Sequence, residues 1–101
     1  MTIRTLKNIS ISQYESFLEL AGCKYLRTKG GHYIYSRVDC LRPIVFQTHI
    51  DPVPERIINS NNKTLGYSKK DFFEILFCEK DVIRTGNVFT FSDQTDSDQT
   101  R

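Results

Sequence analysis

Tyr25-Leu26-Arg27-Thr28-Lys29-Gly30-Gly31-His32-Tyr33-Ile34-Tyr35 is the stretch that decides the fold. Two segments rich in Tyr, Ile and Leu flank a Gly-Gly pair, and that composition reads as two strands joined by a tight turn. A type I′ turn needs positive φ at both central residues, which glycine adopts at no steric cost. The residues flanking such a turn lie opposite each other on one face of the sheet. Lys29 is therefore expected to face His32, Arg27 to face Ile34 and Tyr25 to face Ser36. On the other side Thr28 faces Tyr33 and Leu26 faces Tyr35.

A third strand over about 42–49 follows Val38-Asp39-Cys40-Leu41. With those four residues as the loop, Tyr35 pairs with Ile44 and Tyr33 with Phe46. One face then carries Leu26, Tyr33, Tyr35, Ile44 and Phe46 and reads as core. The other carries Arg27, Lys29, His32, Gln47 and His49, a cationic face open to solvent. A slip of one residue would turn Ile44 and Phe46 to the wrong side, which argues for this register. Ile34 and Val45 fall on the open face and imply that something covers it.

Helices flank the sheet. Ser12-Gln13-Tyr14-Glu15 fits a capping box, and Tyr14, Phe17, Leu18 and Ala21 follow at helical spacing up to a stop at Gly22. After the sheet, Asp51-Pro52-Val53-Pro54 breaks the strand pattern. Pro54 suits the first turn of a helix holding Ile57 and Ile58, weakened by Asn59 to Asn62 and closed by Leu65-Gly66. Ser68 then caps a last helix carrying Asp71 in its first turn and the apolar run Phe72, Phe73, Ile75, Leu76 and Phe77. This order predicts an α+β domain, a three-stranded antiparallel sheet with helices on one face. Gly86-Asn87-Val88-Phe89-Thr90-Phe91 can add a strand. Ser92-Asp93-Gln94-Thr95 recurs as Ser97-Asp98-Gln99-Thr100, so 92–101 reads as a disordered polar tail after a single domain over 1–91.

The 101 residues allow one small domain, and the net charge of +2 is unevenly spread. Residues 1–91 hold 13 Lys/Arg against 9 Asp/Glu, a net +4, whereas 92–101 hold one Arg against three Asp. Lys24, Arg27, Lys29, Arg37 and Arg42 cluster with Asp39 as the lone acid among them, a mild polyanion footprint. Cys23, Cys40 and Cys78 leave one thiol unpaired under any connectivity. No apolar run resembles a secretory leader or a membrane span, and a reducing cytoplasm is the simplest compartment. The cysteine and histidine spacings match no zinc pattern.

The run Tyr25 to Tyr35, a strand, Lys29-Gly30-Gly31-His32 and an apolar strand after a Gly-terminated helix, resembles the core of the HicA-type mRNA interferase toxins. Those toxins carry Lys-Gly-Ser-His at this turn, so Gly31 stands where they have serine. The strand ending at His49 and the Leu65-Gly66-Tyr67-Ser68…Phe72-Phe73 segment are also similar, whereas Asp51-Pro52-Val53-Pro54-Glu55-Arg56 departs from the family's loop. The resemblance covers about 12–77. It implies a double-stranded-RNA-binding-like α-β-β-β-α fold, cleavage of messenger RNA, and neutralisation by a HicB-type protein antitoxin. The family's catalytic His falls on His32, and its Lys-Gly pair on Lys29 and Gly30.

Metal-free RNA hydrolysis needs a base for the 2′-hydroxyl, an acid for the leaving 5′-oxygen and a cation for the charged transition state. Histidine titrates near neutral pH, so His32 is the expected catalytic group. Lys29 is the expected phosphate partner, Arg27 a secondary phosphate contact, and His49 the complementary acid at the same end of the same face. No metal, cofactor or membrane enters this scheme. Two rival expectations use the same face without chemistry: an RNA-binding module, and a degenerate toxin serving as a protein-interaction domain.

Overall fold

The structure, a computed structural model, describes residues 4–93. A 3-10 turn at Leu6–Asn8 leads into helix α1 (Ile11–Leu20), then strands β1 (Lys24–Lys29), β2 (His32–Ser36) and β3 (Ile44–Gln47). Helices α2 (Glu55–Leu65) and α3 (Lys69–Leu76) follow, and a hairpin of β4 (Lys80–Thr85) and β5 (Val88–Asp93) closes the chain. The class is α+β, with a three-stranded antiparallel sheet in the order β1-β2-β3 and a separate two-stranded sheet.

Most of the expected register is present. Lys29 pairs with His32, Thr28 with Tyr33 and Arg27 with Ile34. Tyr33 pairs with Phe46 and Tyr35 with Ile44. Gly30 and Gly31 have φ of 59° and 77°, as the tight turn requires. The register fails beyond Arg27, where a bulge at Leu26 lets Tyr25 pair with Tyr35 and Lys24 with Ser36. The extra residue reverses the alternation, so Tyr25 takes the place expected for Leu26. The Tyr25 and Tyr35 rings meet at 5.6 Å, the Tyr25 hydroxyl lies 2.7 Å from Thr28 Oγ1, and Leu26 is left 49% exposed.

α1 begins two residues earlier than expected. Ser10, not Ser12, is the N-cap, and Gln13, not Glu15, completes the capping box. The apolar stripe is as expected, with Tyr14, Phe17, Leu18 and Ala21 fully buried. Tyr14 stands edge-on to Phe46 at 4.9 Å, and Phe17 meets Phe72 of α3 at 4.4 Å. The core is thus an aromatic seam running from the sheet through α1 to α3. Ser68 and Asp71 form the capping box of α3, and Gly66 ends α2 in the left-handed conformation. α2 persists through its asparagines with Ile58 and Leu65 in the core and Asn61 buried and hydrogen-bonded to Tyr14 and Val45, whereas the Asn62 side-chain amide is buried without a hydrogen-bond partner among the described residues.

β4 was not expected. It pairs along its whole length with β5 across Gly86-Asn87, a second short hairpin turn. Ser92 and Asp93, assigned to the tail on composition, pair with Asp81 and Lys80, and 94–101 lie outside the described residues. The hairpin docks through Phe89 and Phe91. Phe91 lies 5.3 Å from Tyr67, and Phe89 lies so close to Gly22 that a Cβ there would stand 2.6 Å from its ring.

Arg37 joins these parts. It was counted with the surface cations, yet its side chain is only 3% exposed. Nε and Nη2 donate to the Asp39 carboxylate at 2.6 and 2.9 Å. Nη1 donates to the Ala21 carbonyl at 2.9 Å and the Tyr67 hydroxyl at 2.6 Å, and Nη2 also donates to the Leu65 carbonyl at 3.3 Å. All five N–H groups are used. The guanidinium also lies 4.3 Å from the Phe89 ring centroid and 5.2 Å from that of Tyr67.

Removing one partner from a buried ion pair typically costs about 3–5 kcal/mol, because the rest of the network loses its donor. Arg37→Met is expected to lower stability by about 3 kcal/mol in urea unfolding, and Arg37→Lys to recover little of it, since an ammonium cannot reproduce the fork. Burial pushes the Asp39 carboxyl up, but the Arg37 hydrogen bonds and charge outweigh that and hold it below its ordinary 3.8. A carboxyl lowered on folding adds stability above its unfolded value, and that stability is lost as pH falls through the folded one. Below about pH 4 the protein should therefore weaken more steeply than Asp39→Asn. Equal acid slopes in the two would refute this linkage.

Candidate functional site

The hairpin turn sets Lys29 and His32 side by side, and Gln47 extends that row onto β3. His32 Nδ1 lies 3.0 Å from the Gly30 carbonyl oxygen. A carbonyl can only accept, so Nδ1 carries the proton, and in the neutral ring Nε2 is left as a lone-pair acceptor. The turn thereby fixes both the tautomer and the direction of the imidazole. His32 is half-buried and Lys29 is exposed.

His49 reaches the same turn by another route. The Thr48 amide donates to the Gly31 carbonyl at 2.9 Å, continuing the pairing one residue past β3. The exposed His49 ring then lies 3.9 Å from where a Gly31 Cβ would stand. A side chain at position 31 would therefore touch His49. Arg27 is exposed one row back, opposite Ile34, with Val45 on the far side of Ile34. Of the predicted residues, the turn gathers His32, Lys29, Gly30, Gly31 and His49, whereas Arg27 stands behind them.

α2 supplies the other wall of the site. It runs along β3, and Asn61 Nδ2 donates to the Val45 carbonyl at 3.1 Å and to the Tyr14 hydroxyl at 3.0 Å. The first bond satisfies a carbonyl of the outer strand, which would otherwise lack a partner. A cleft of about 410 Å³ lies between α2 and β3, lined by His32, Val45 and Gln47 on the sheet side and by Arg56, Ile57 and Ser60 on the helix. Arg56 and Ser60 are four residues apart and so share one helix face. The Pro54 start and that spacing were visible in the sequence, but the crossing of α2 over β3 was not. The cleft combines an oriented imidazole, an exposed guanidinium and hydroxyl and amide groups, a set able to bind an anionic ester and move a proton at it.

The other candidates have structural roles. Tyr35 is buried, and the half-buried Tyr33 packs at 5.2 Å on Phe46, so both rings belong to the core face. Cys23, Cys40 and Cys78 are all free thiols. Burial pushes the Cys23 thiol up to about 12 and also raises that of Cys40, helped by the Asp39 charge. Neither is poised as a thiolate. Among the described residues no three His, Cys, Asp or Glu side chains gather where a metal ion could be held, and no helix is long and apolar enough to cross a membrane. Comparison of the chain with protein-family models, curated proteins and solved structures finds no match.

Asn61 is the tie that sets α2 against the sheet. Asn61→Ala leaves the Tyr14 hydroxyl and the Val45 carbonyl without their donor and is expected to cost about 2 kcal/mol. A urea midpoint equal to that of the parent chain, at unchanged slope, would show that the tie is dispensable.

Proposed function

We propose that this chain is an endoribonuclease of the HicA toxin type, cleaving messenger RNA in the cytoplasm with His32 as its catalytic group. The single observation that carries the reading is the His32 Nδ1 contact with the Gly30 carbonyl at 3.0 Å, which turns Nε2 into an available base beside Lys29. The order α1-β1-β2-β3-α2 also accords with a double-stranded-RNA-binding-like core, to which α3 and the β4–β5 hairpin are added.

In the proposed reaction His32 Nε2 accepts the proton of a ribose 2′-hydroxyl. The 2′-oxygen forms a bond to phosphorus, and the bond from phosphorus to the 5′-oxygen breaks. The departing oxygen takes a proton from an imidazolium, for which His49 is the nearby group. Lys29 and Arg56 stabilise the charge that builds on the phosphoryl oxygens. The products are a 2′,3′-cyclic phosphate and a 5′-hydroxyl. Acid, base and cation are all side chains, so the scheme calls for no metal and no cofactor. Arg27 serves as an outer phosphate contact. A HicB-type antitoxin would cover the open face, using Ile34 and Val45 as apolar contact area.

Removing a positioned acid or base typically costs about 10²–10⁴-fold in rate. Cleavage of a single-stranded messenger RNA fragment by the parent chain is expected to persist in EDTA, to leave cyclic-phosphate ends, and to fall by about that factor in His32→Ala. RNA binding without cleavage in both proteins would instead assign the face to a non-catalytic RNA-binding module. Failure of both to bind RNA would leave protein interaction as its role.

A further inference from the structure

The cleft at His32 does not end at Ser60. On the far side of that residue lies a second hollow of about 490 Å³, walled by Asp39, Cys40 and Arg42 from the β2–β3 connection and by Ser60, Lys63 and Thr64 from α2. Ser60 lines both spaces, so they adjoin at that residue and follow one another along the helix. Arg56, Ser60, Lys63 and Thr64 follow at i, i+4, i+7 and i+8, the spacing of a single helix face. Arg56, Ser60, Lys63 and Arg42 are exposed.

The charge along this groove is of one effective sign. Asp39 is its acidic wall residue, and its carboxylate is already held by both arms of Arg37. Among the described residues Arg42 and Lys63 enter no ion pair. A row of cations with hydroxyls between them, with the fully exposed Leu41 at one rim and the half-buried Val45 and Ile57 in the His32 half, suits a repeating anion better than an apolar peptide. Seven residues of helix separate Arg56 from Lys63, about 10 Å, which a stacked strand at about 3.4 Å per nucleotide crosses in about three nucleotides.

We infer that this groove is the track of a single RNA strand, with Arg42 and Lys63 holding the phosphates about three nucleotides from the bond beside His32. The inference rests on the nuclease reading for what happens at His32, but the binding it asserts is measurable without cleavage.

The test combines Arg42→Ala with Lys63→Ala in a His32→Ala background and follows fluorescence anisotropy of a labelled single-stranded RNA of about 12 nucleotides across a salt series. Each lost phosphate contact removes about 0.7 from the slope of log affinity against log salt for a single strand, so the slope should fall by about 1.4. Affinity at low salt should fall by about tenfold. Both side chains are exposed, and a circular dichroism melt checks that the fold is kept. Lys63→Glu alone should weaken binding in the same direction. An unchanged slope and affinity overturn the groove, as does absence of salt-dependent binding by the His32→Ala parent. With His32 intact, KM for the same RNA should rise in the double variant. Cleavage with an unaltered KM overturns the groove and leaves the nuclease standing. Binding that depends on Arg42 and Lys63 in a chain that cleaves nothing supports the groove and removes the nuclease.

Discussion

One guanidinium holds the parts of this chain together. Arg37 follows directly after the central strand β2, and its five N–H groups reach the end of α1, the end of α2, the loop after β2 and the start of α3. Two of its acceptors, the Ala21 and Leu65 carbonyls, are helix C-terminal groups that have no partner inside their own helices and carry partial negative charge. A cation there meets both needs at once. Phe89 from the last hairpin closes over the guanidinium, so the terminal sheet is joined to the same point. A buried charge is costly unless every donor is matched, and here every donor is.

The candidate site lies at the opposite end of the same strand. Arg37 anchors β2 at its C-terminal end, and His32 opens it at the other. Between them Tyr33 and Tyr35 turn inward to Phe46, which sets the pleat and leaves His32 and Ile34 on the outer face. The imidazole is thus oriented twice over, by the pleat that chooses its face and by the Gly30 carbonyl that chooses its tautomer. α2 completes the site, held by Ile58 and Leu65 in the core and by Asn61 at the rim of β3. Asn61, one of the asparagines that weaken helix propensity, is also the residue that ties the Arg56–Ser60 face to β3.

Short-range chemistry was legible in the sequence, and long-range geometry was not. The Gly-Gly turn, the β2–β3 register, the β1–β2 register from Arg27 to the turn, the buried stripe of α1 and the cap of α3 each follow from spacing within a few residues. The bulge at Leu26 does not, because it exchanges one exposed apolar residue for another and leaves no mark on composition. The α1 cap was displaced because Ser10 and Ser12 offer the same hydroxyl, and only Gln13 returning to the Ser10 amide separates them. β4 had an overlooked signal, since Val82 and Ile83 precede a Gly86-Asn87 pair that makes a hairpin turn. The His32–Lys29 half of the site was readable from one turn. The Arg56–Ser60 half depends on a helix crossing and was not.

Arg37 differs from the neighbouring cations for a reason that applies beyond this chain. Five basic residues between Lys24 and Arg42 look alike in a sequence, yet one is nearly inaccessible and four are exposed. What separates them is the neighbour. Asp39, two residues on, gives Arg37 a carboxylate at fork distance, and that pairing lets the guanidinium sink between two helix ends. It also matches the charge of an acid that stays at the surface and would otherwise have opposed Arg42. The pair removes one cation and one acid together, so the local net charge is unchanged and Arg42 faces the groove with the Asp39 charge already matched. The scaffold and the electrostatics of the proposed RNA track follow from the same ion pair.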